Sequence, residues 1–306
     1  MSTSATGDGP LAVLINPSAG KGRTGRLLPG ILSRLGAAGR EVRPLTAASA
    51  AAADAACRAA VADGAGALVA VGGDGTVHLG LQAVAGTGVP FGVVPVGTGN
   101  DFAAALGVPT EPFAAADAIA AALAAGRTRA VDLARVITPD GRERWYGAVL
   151  GAGFDAIVNE RANRMRFPRG RRRYDVATVA ELVRLRPRTY TMTLDGEVHT
   201  LDAVLVAVGN TASYGGGHRI CPAADPTDGL LDIVVAGPMS RRTLMRIKPS
   251  VFLGTHVEHP LVTAYRARTV ELDGEPITVY ADGERAFPLP VTVSCLPGAL
   301  ALLTQL

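Results

Sequence analysis

The chain has 306 residues, enough for about two domains of ordinary size. With 48% hydrophobic and 19% charged residues it can bury a sizeable core, which excludes disorder, and no apolar run reaches the ~18 residues of a spanning helix. The net charge of +3 is too small to announce nucleic acid as a partner.

The stretch Met1–Pro10 has neither a basic start nor an apolar segment, so it reads as a short mobile tail and not as a signal peptide. Beyond it, short apolar runs alternate with Ala-rich stretches. Leu11–Ile15, Val42–Leu45, Leu68–Val71 and Phe91–Val94 read as strands. Thr24–Leu35, Ala47–Ala62, Val77–Val84 and Pro112–Ala125 read as helices, the last stopped by Gly126. This alternation predicts an α/β domain with a mostly parallel sheet over residues 10–129.

The pattern then changes. Val131–Ile137, Tyr190–Leu194, Leu201–Val208, Leu231–Val235, Thr269–Leu272, Ile277–Tyr280 and Val291–Cys295 read as strands joined by Gly, Pro and Asp turns. Helical inserts are expected over Ala156–Arg164, Tyr174–Leu185 and Ser240–Phe252. The fold class expected is therefore α/β plus β, with a second, mainly antiparallel β-sandwich domain over 130–296. Residues 297–306 are expected to pack back on the first domain. Cys57, Cys221 and Cys295 lie too far apart for a metal motif, which suits a reducing cytoplasm.

Three strand ends of the first half run into loops of small residues: Asn16-Pro17-Ser18-Ala19-Gly20-Lys21-Gly22, Gly72-Gly73-Asp74-Gly75-Thr76, and Pro95-Val96-Gly97-Thr98-Gly99-Asn100-Asp101. Glycines let the backbone approach a polyphosphate and turn N–H groups toward it, and a following helix N-terminus favours the anion. Any one such loop is compatible with a tight βα turn. Three at successive ends of one parallel sheet favour a phosphate site at that edge. The P-loop pattern fails, because Ile15 stands at its first glycine and Gly22 follows Lys21. Gly151-Ala152-Gly153-Phe154-Asp155-Ala156 matches the dinucleotide pattern G-x-G-x-x-[GA], yet no βαβ unit follows, which argues against a nicotinamide or flavin site.

The Gly72–Thr76 loop together with Gly97-Thr98-Gly99-Asn100-Asp101-Phe102-Ala103 resembles the catalytic domain of diacylglycerol kinases and related lipid kinases. The first loop alone is shared with NAD kinases and 6-phosphofructokinases; the second narrows the likeness to the lipid-kinase branch. Asn16–Gly22 resembles that family's first loop, and the likeness extends over nearly the whole chain. It implies a nucleotide-binding first domain, ATP with Mg²⁺, and nucleotide contacts at Asn16, Lys21, Thr46, Gly72, Gly73, Asp74, Gly75, Thr76, Gly97, Thr98, Gly99 and Asn100. For Lys21, an ammonium reaching phosphate and an exposed loop lysine stay open as alternatives.

Phosphoryl transfer to an alcohol needs a held polyphosphate, a divalent cation and a base for the hydroxyl. Asp74 and Asp101 sit in the loops, and the resemblance makes both catalytic; how they divide metal binding and proton transfer stays open. A lone Asp at either place would read as a helix cap. Asp-Gly-Glu occurs at Asp195–Glu197, Asp273–Glu275 and Asp282–Glu284. Asp-Gly is a hairpin signal, and the first two are assigned to turns. The third precedes Val291–Ser294 and Pro297-Gly298-Ala299-Leu300, and the resemblance then makes Glu284 the general base, with Asp282 assisting. The run Asp225–Asp232 resembles a family turn that carries a structural Mg²⁺. That places the metal on the Asp228 carboxylate and the main-chain oxygens of Asp225 and Leu230, against an Asx turn without metal.

Seven arginines fall between Arg161 and Arg173 with no acid among them, interleaved with Met165 and Phe167. A solvated face and an anionic membrane surface are the two readings; no nucleic-acid motif accompanies the cluster. The expected function is an ATP-dependent lipid kinase that phosphorylates a diacylglycerol-like hydroxyl to give phosphatidic acid. It would be cytoplasmic and peripheral to the inner face of the cell membrane, with room for a homodimer. The alternatives are a kinase of the same superfamily acting on a sphingoid base, another lipid or NAD, and an inactive nucleotide- or lipid-binding regulator.

Overall fold

The computed structural model describes residues 8–16, 23–165, 167–168 and 172–305. The expected N-terminal tail before Asp8, the loop 17–22 with Lys21, and Arg166, Arg169 and Arg171 lie outside the described residues. The chain divides into two units, Met1–Leu133 with Leu296–Leu306, and Ala134–Cys295.

In the first unit the elements follow as β1 (Leu11–Ile15), α1 (Arg23–Gly36), β2 (Val42–Leu45), α2 (Ala50–Ala62), β3 (Ala67–Gly72), α3 (Asp74–Val84), β4 (Phe91–Pro95), α4 (Asp101–Ala105) and α5 (Pro112–Ala124). The helices start on local chemistry. Ser49 accepts the Ala52 N–H at 3.2 Å to begin α2. Glu111 accepts the Ala114 N–H at 2.7 Å ahead of Pro112 in α5.

β1 lies between β2 and β3 and pairs in parallel with both, Leu11 opposite Val42 on one side and Ala67 on the other. β3 pairs in parallel with β4. The chain thus leaves β1 to one side and returns on the other, which opens a crevice beyond the carboxyl ends of β1 and β3. Leu11, Val13, Val69, Val71, Val94, Ile31, Leu35, Ile119 and Leu123 close the core beneath it. β5 (Arg129–Ile137) follows, and Leu302 and Leu303, at the end of the last strand, add to β4 in parallel. Asp132 ties this end down by accepting the Gly298 N–H at 2.7 Å.

The second unit runs through β6 (Glu143–Tyr146), β7 (Val149–Gly153), α6 (Phe154–Arg164), α7 (Arg172–Val183), β8 (Arg188–Leu194), β9 (Glu197–Ala203), β10 (Leu205–Gly209), β11 (Leu231–Ala236), α8 (Arg241–Ile247), α9 (Ser250–Leu253), β12 (Val262–Ala267), β13 (Thr269–Gly274), β14 (Thr278–Ala281), β15 (Glu284–Pro288) and β16 (Val291–Leu303). One sheet is β12-β11-β10-β7-β14-β15, with antiparallel pairings throughout. The other has β16, β13, β8 and β9 in order, again antiparallel. Tyr190, Met192, Val270, Leu272 and Val293 of one sheet pack with Leu150, Val206, Val208, Ile233 and Val279 of the other, so the unit is a sandwich.

Several expected boundaries move. Leu201–Val208 is two strands: β9 pairs with β8, and β10 lies in the other sheet between β7 and β11. The chain changes sheet at Val204, whose N–H goes to Ala236 O at 2.8 Å. Burial alternates along β9 and then becomes continuous in β10, as befits a strand covered on both faces. Ser240–Phe252 is two helices, because Pro249 has no N–H to carry α8 onward. Val291–Cys295 extends to Leu303. Asp273-Gly274 is not a turn: Gly274 is still in β13, opposite Tyr190. Gly151–Ala156 does lead from strand to helix, but both neighbours of β7 are antiparallel. Gly153 serves close packing there, since a Cβ on it would lie 2.5 Å from Val204 O.

Candidate active site

The parallel register of the first unit delivers Asn16, Gly72–Thr76 and Gly97–Asp101 to one edge of its sheet. There they surround a cavity of about 310 Å³ lined by Asn16, Gly73, Asp74, Gly75, Thr76, Gly97, Thr98 and Gly99. Three close contacts hold this rim. Val96 N–H donates to Gly72 O at 2.8 Å, tying the two glycine loops together. A Cβ on Gly97 would lie 2.5 Å from the Gly73 Cα, so only glycine permits that approach. A Cβ on Gly99 would lie 2.8 Å from the Asp74 carboxylate.

Asp74 is the first residue of α3, and its side chain reaches across to the next loop. One carboxylate oxygen accepts the Asn100 N–H at 2.8 Å and the other the Phe102 N–H at 3.3 Å. It thereby caps α4, which its own Asn100, in the left-handed conformation at φ 60°, does not cap. Asn100 instead donates from Nδ2 to Gly97 O at 3.1 Å. Asp101 opens α4 and is buried. Thr76 is buried and fills the space over Gly72. α3 starts at this rim with Asp74 and Gly75, and its first turn closes on Gly73, whose carbonyl accepts the Thr76 N–H at 2.8 Å and the Val77 N–H at 3.1 Å. Thr46 follows β2 at the same edge and is exposed, outside the residues that line the cavity.

Glu284 and the Asp225–Leu230 turn belong to the second unit. Asp282 and Gly283, at φ 52° and 79°, form the tight hairpin turn between β14 and β15. The Asp282 carboxylate accepts the N–H groups of Gly147 at 3.0 Å and Ala148 at 2.8 Å, so it anchors the hairpin. Glu284, the first residue of β15, is exposed opposite Ala281. Its neighbour Arg285 donates to Glu160 of α6 at 3.2 Å, which also receives the Tyr280 hydroxyl at 2.7 Å and Arg164 at 2.6 Å. The Tyr280 hydroxyl, helped by both arginines, holds the Glu160 carboxyl below its usual range. Sequence reasoning missed this clasp on the hairpin; only the i,i+4 spacing of Glu160 and Arg164 was visible in advance.

The turn at Asp225–Leu230 has Asx geometry. Asp225 accepts the Thr227 N–H at 3.0 Å, and Asp228 the Leu230 N–H at 3.0 Å. Asp228 also pairs with Arg266, whose Nε stands 3.4 Å from Asp232. Burial pushes the Asp232 carboxyl up, against the pull of Arg266, with Asp228 and Asp225 adding to the rise. Among the described residues no three Asp, Glu, His or Cys side chains stand together as a metal site, so a cation at this turn needs main-chain oxygens. Three of the remaining four clustered arginines have partners: Arg161 pairs with Glu181, Arg164 with Glu160, and Arg173 donates to Asn163 at 3.4 Å. Phe167 is 84% exposed.

Two family models match this chain. Residues 10–136 match the diacylglycerol kinase catalytic domain, and residues 148–304 the YegS C-terminal NAD kinase beta sandwich-like domain. A protein of Mycobacterium tuberculosis named diacylglycerol kinase is 46% identical over 297 residues, covering 96% of this chain and 95% of its own. A Stenotrophomonas maltophilia protein named "Probable lipid kinase YegS-like" is 31% identical over 256 residues, with 79% and 80% covered. A Bacillus anthracis crystal structure described as a diacylglycerol kinase shares the fold over 97% of both chains, with a TM-score of 0.72 at 23% identity. Both halves of the chain and nearly its full length are thus accounted for, and the protein belongs to the family of diacylglycerol kinases and YegS-like lipid kinases, as a kinase.

Proposed function

We propose that the chain transfers the γ-phosphate of ATP to the hydroxyl of a diacylglycerol-like lipid, giving phosphatidic acid. The observation that carries this reading is the cavity whose rim is built from two glycine loops locked together by Asp74. Its backbone N–H groups and helix N-terminus suit a polyphosphate, with Asn16, Thr76 and Thr98 adding polar side chains and Thr46 following β2 at the same edge; Lys21 is the candidate cation from the first loop.

Mg²⁺ fits oxygen donors of this kind, and Asp74 and Asp101 are the carboxylates that would hold it beside the nucleotide. When bound, it supplies charge neutralisation of the transferred phosphoryl group. Asp74 also keeps the two loops in register, so the phosphate cradle depends on it even before any metal binds. Glu284 is the base that takes the proton from the acceptor oxygen as that oxygen attacks. Its exposed position leaves the carboxylate open to a substrate, and Asp282 and the Glu160 clasp keep its hairpin in one conformation. At the Asp225–Leu230 turn, three acidic side chains against one guanidinium favour a second, structural Mg²⁺ on Asp228 and the main-chain oxygens of Asp225 and Leu230.

A bilayer acceptor calls for a peripheral protein at the cytoplasmic face of the membrane, and no helix among the described residues is long and apolar enough to cross one. The Arg161–Arg173 segment, with exposed Phe167, is suited to anionic headgroups. The test is transfer of label from γ-labelled ATP in the presence of Mg²⁺ to diacylglycerol, sphingosine or NAD offered in parallel. Label in diacylglycerol is expected. Label only in sphingosine or NAD would replace the acceptor, and label in none would support a regulator without activity.

A further inference from the structure

Not all the basic surface of the second unit lies in the arginine cluster that the sequence advertises. Arg161, Arg164 and Arg173 are engaged within the fold. A separate stretch, Ser240–Val257, contains Arg241, Arg242, Arg246 and Lys248 and no acidic residue. All four cations are exposed, and none makes a salt bridge to a carboxylate among the described residues. Interleaved with them are three large apolar side chains left in water: Met245 at 47% exposure, Phe252 at 46% and Leu253 at 73%. They come from α8 and α9, which Pro249 separates. Single exposed apolar residues need no explanation, but three beside four exposed cations within one short segment do.

The arrangement is held in place. Ile247 is buried, Arg219 N–H donates to Val251 O at 3.0 Å, and the Phe252 ring lies 4.1 Å from that of His218. Gly254, at φ 78°, ends α9 against Pro222, where a Cβ would come within 2.8 Å. Leu253 is therefore presented by an anchored turn and not by a loose end.

We propose that α8 and α9 form a docking surface for an anionic lipid bilayer. Arg241, Arg242, Arg246 and Lys248 contact headgroup phosphates, while Met245, Phe252 and Leu253 enter the boundary of the acyl chains. Charge complementarity selects this occupant: an apolar surface alone would suit many partners, whereas one carrying Arg241, Arg242, Arg246 and Lys248, against the one exposed carboxylate of Glu258 just beyond the stretch, suits a sheet of phosphates. The inference rests on the lipid-kinase reading for its purpose, since an enzyme that docks here meets its acceptor repeatedly without leaving the membrane. The binding itself is measurable without turnover.

The experiment is sedimentation of the full chain with phosphatidylcholine vesicles, with and without phosphatidylglycerol, at low and high salt. Wild-type protein is expected to pellet with the anionic vesicles, less so at high salt. The triple variant Arg241→Gln, Arg242→Gln, Arg246→Gln is expected to lose about a hundredfold in partitioning, taking each cation near the surface as worth roughly a factor of five. Phe252→Ser with Leu253→Ser should weaken binding at both salt concentrations, because it removes the apolar part. Both variants change exposed side chains, and a thermal melt matching that of the wild type checks that they fold. Vesicle binding unchanged in both variants would overturn the proposal. So would self-association that the Phe252→Ser, Leu253→Ser variant abolishes while vesicle binding stays intact, which would make the face a contact between copies. The two readings separate cleanly: no turnover of any lipid with variant-sensitive binding refutes the kinase and keeps the docking surface, and the reverse pattern does the opposite.

Discussion

Gly97→Ala puts the phosphate cradle under direct test. The new Cβ would lie 2.5 Å from the Gly73 Cα and 2.8 Å from the Asn100 Oδ1. Carbon atoms rest about 3.5–4.0 Å apart, so the loops must part by about 1 Å, and the obstacle at Gly73 is backbone that cannot rotate away. Overpacking of this kind costs ~1–3 kcal/mol of stability. Its effect on nucleotide should be larger than that on the fold, because N–H donors bond oxygen only within about 2.7–3.2 Å. A 1 Å displacement forfeits at least one hydrogen bond to a charged group, worth ~1.5–3 kcal/mol, or roughly a ten- to hundredfold loss of affinity. Calorimetric titration with ATP and Mg²⁺, alongside urea unfolding, reads both quantities. Gly25→Ala is the control: nothing among the described residues lies within 4 Å of its added Cβ on α1, so it should gain ~0.5–1 kcal/mol and leave ATP binding unchanged. Wild-type ATP affinity in Gly97→Ala would refute the cradle.

Other consequences follow from the second unit. Burial lifts the Asp155 carboxyl to about 6, against the opposing pull of Lys248, and Tyr214 donates its hydroxyl to it. Between the ordinary carboxylate value and about 6, the folded protein keeps a proton that the unfolded chain has released. Stability must therefore fall as pH rises through this window, by at most about 3 kcal/mol, and the loss is complete above it. Asp155→Asn should flatten that dependence in thermal melts taken from pH 4 to 7, and an unchanged slope would count against the burial argument. Gly153→Ala, at φ 87° and with its Cβ 2.5 Å from Val204 O, should cost several kcal/mol in urea unfolding, on the order of a backbone outlier plus an overpacked contact. A cost near zero would show that β7 and the Val204 crossing move independently.

The parallel half of the fold was legible because its strands are short apolar runs whose period and flanking turns are local signals. Leu11–Ile15 and Val42–Leu45 fall on the expected residues, and the glycine loops fall at the strand ends. The second half was harder for physical reasons. At Val204 the chain changes sheets within one apolar run, which only tertiary pairing reveals. Arg285 and Pro288 disguise β15, and Asp273-Gly274 carries a turn signal inside a strand. In the site, the residue types of Asp74 and Asp101 were visible, but the reach of Asp74 into the next loop was not, since it joins residues 26 and 28 apart. Pairing within the arginine cluster was hidden in a similar way. Its partners Glu181 and Glu160 come from outside the run, whereas the exposed cations of α8 drew no attention because they are fewer.

The most direct measurement is single-turnover transfer from γ-labelled ATP to diacylglycerol by the wild-type protein and by Glu284→Gln. The account predicts labelled phosphatidic acid from the wild type. In the variant it predicts a rate lower by roughly a hundred- to ten-thousandfold with ATP affinity retained, because only the proton acceptor for the hydroxyl is lost. Full-rate transfer by Glu284→Gln, or label reaching an acceptor other than diacylglycerol, would contradict it.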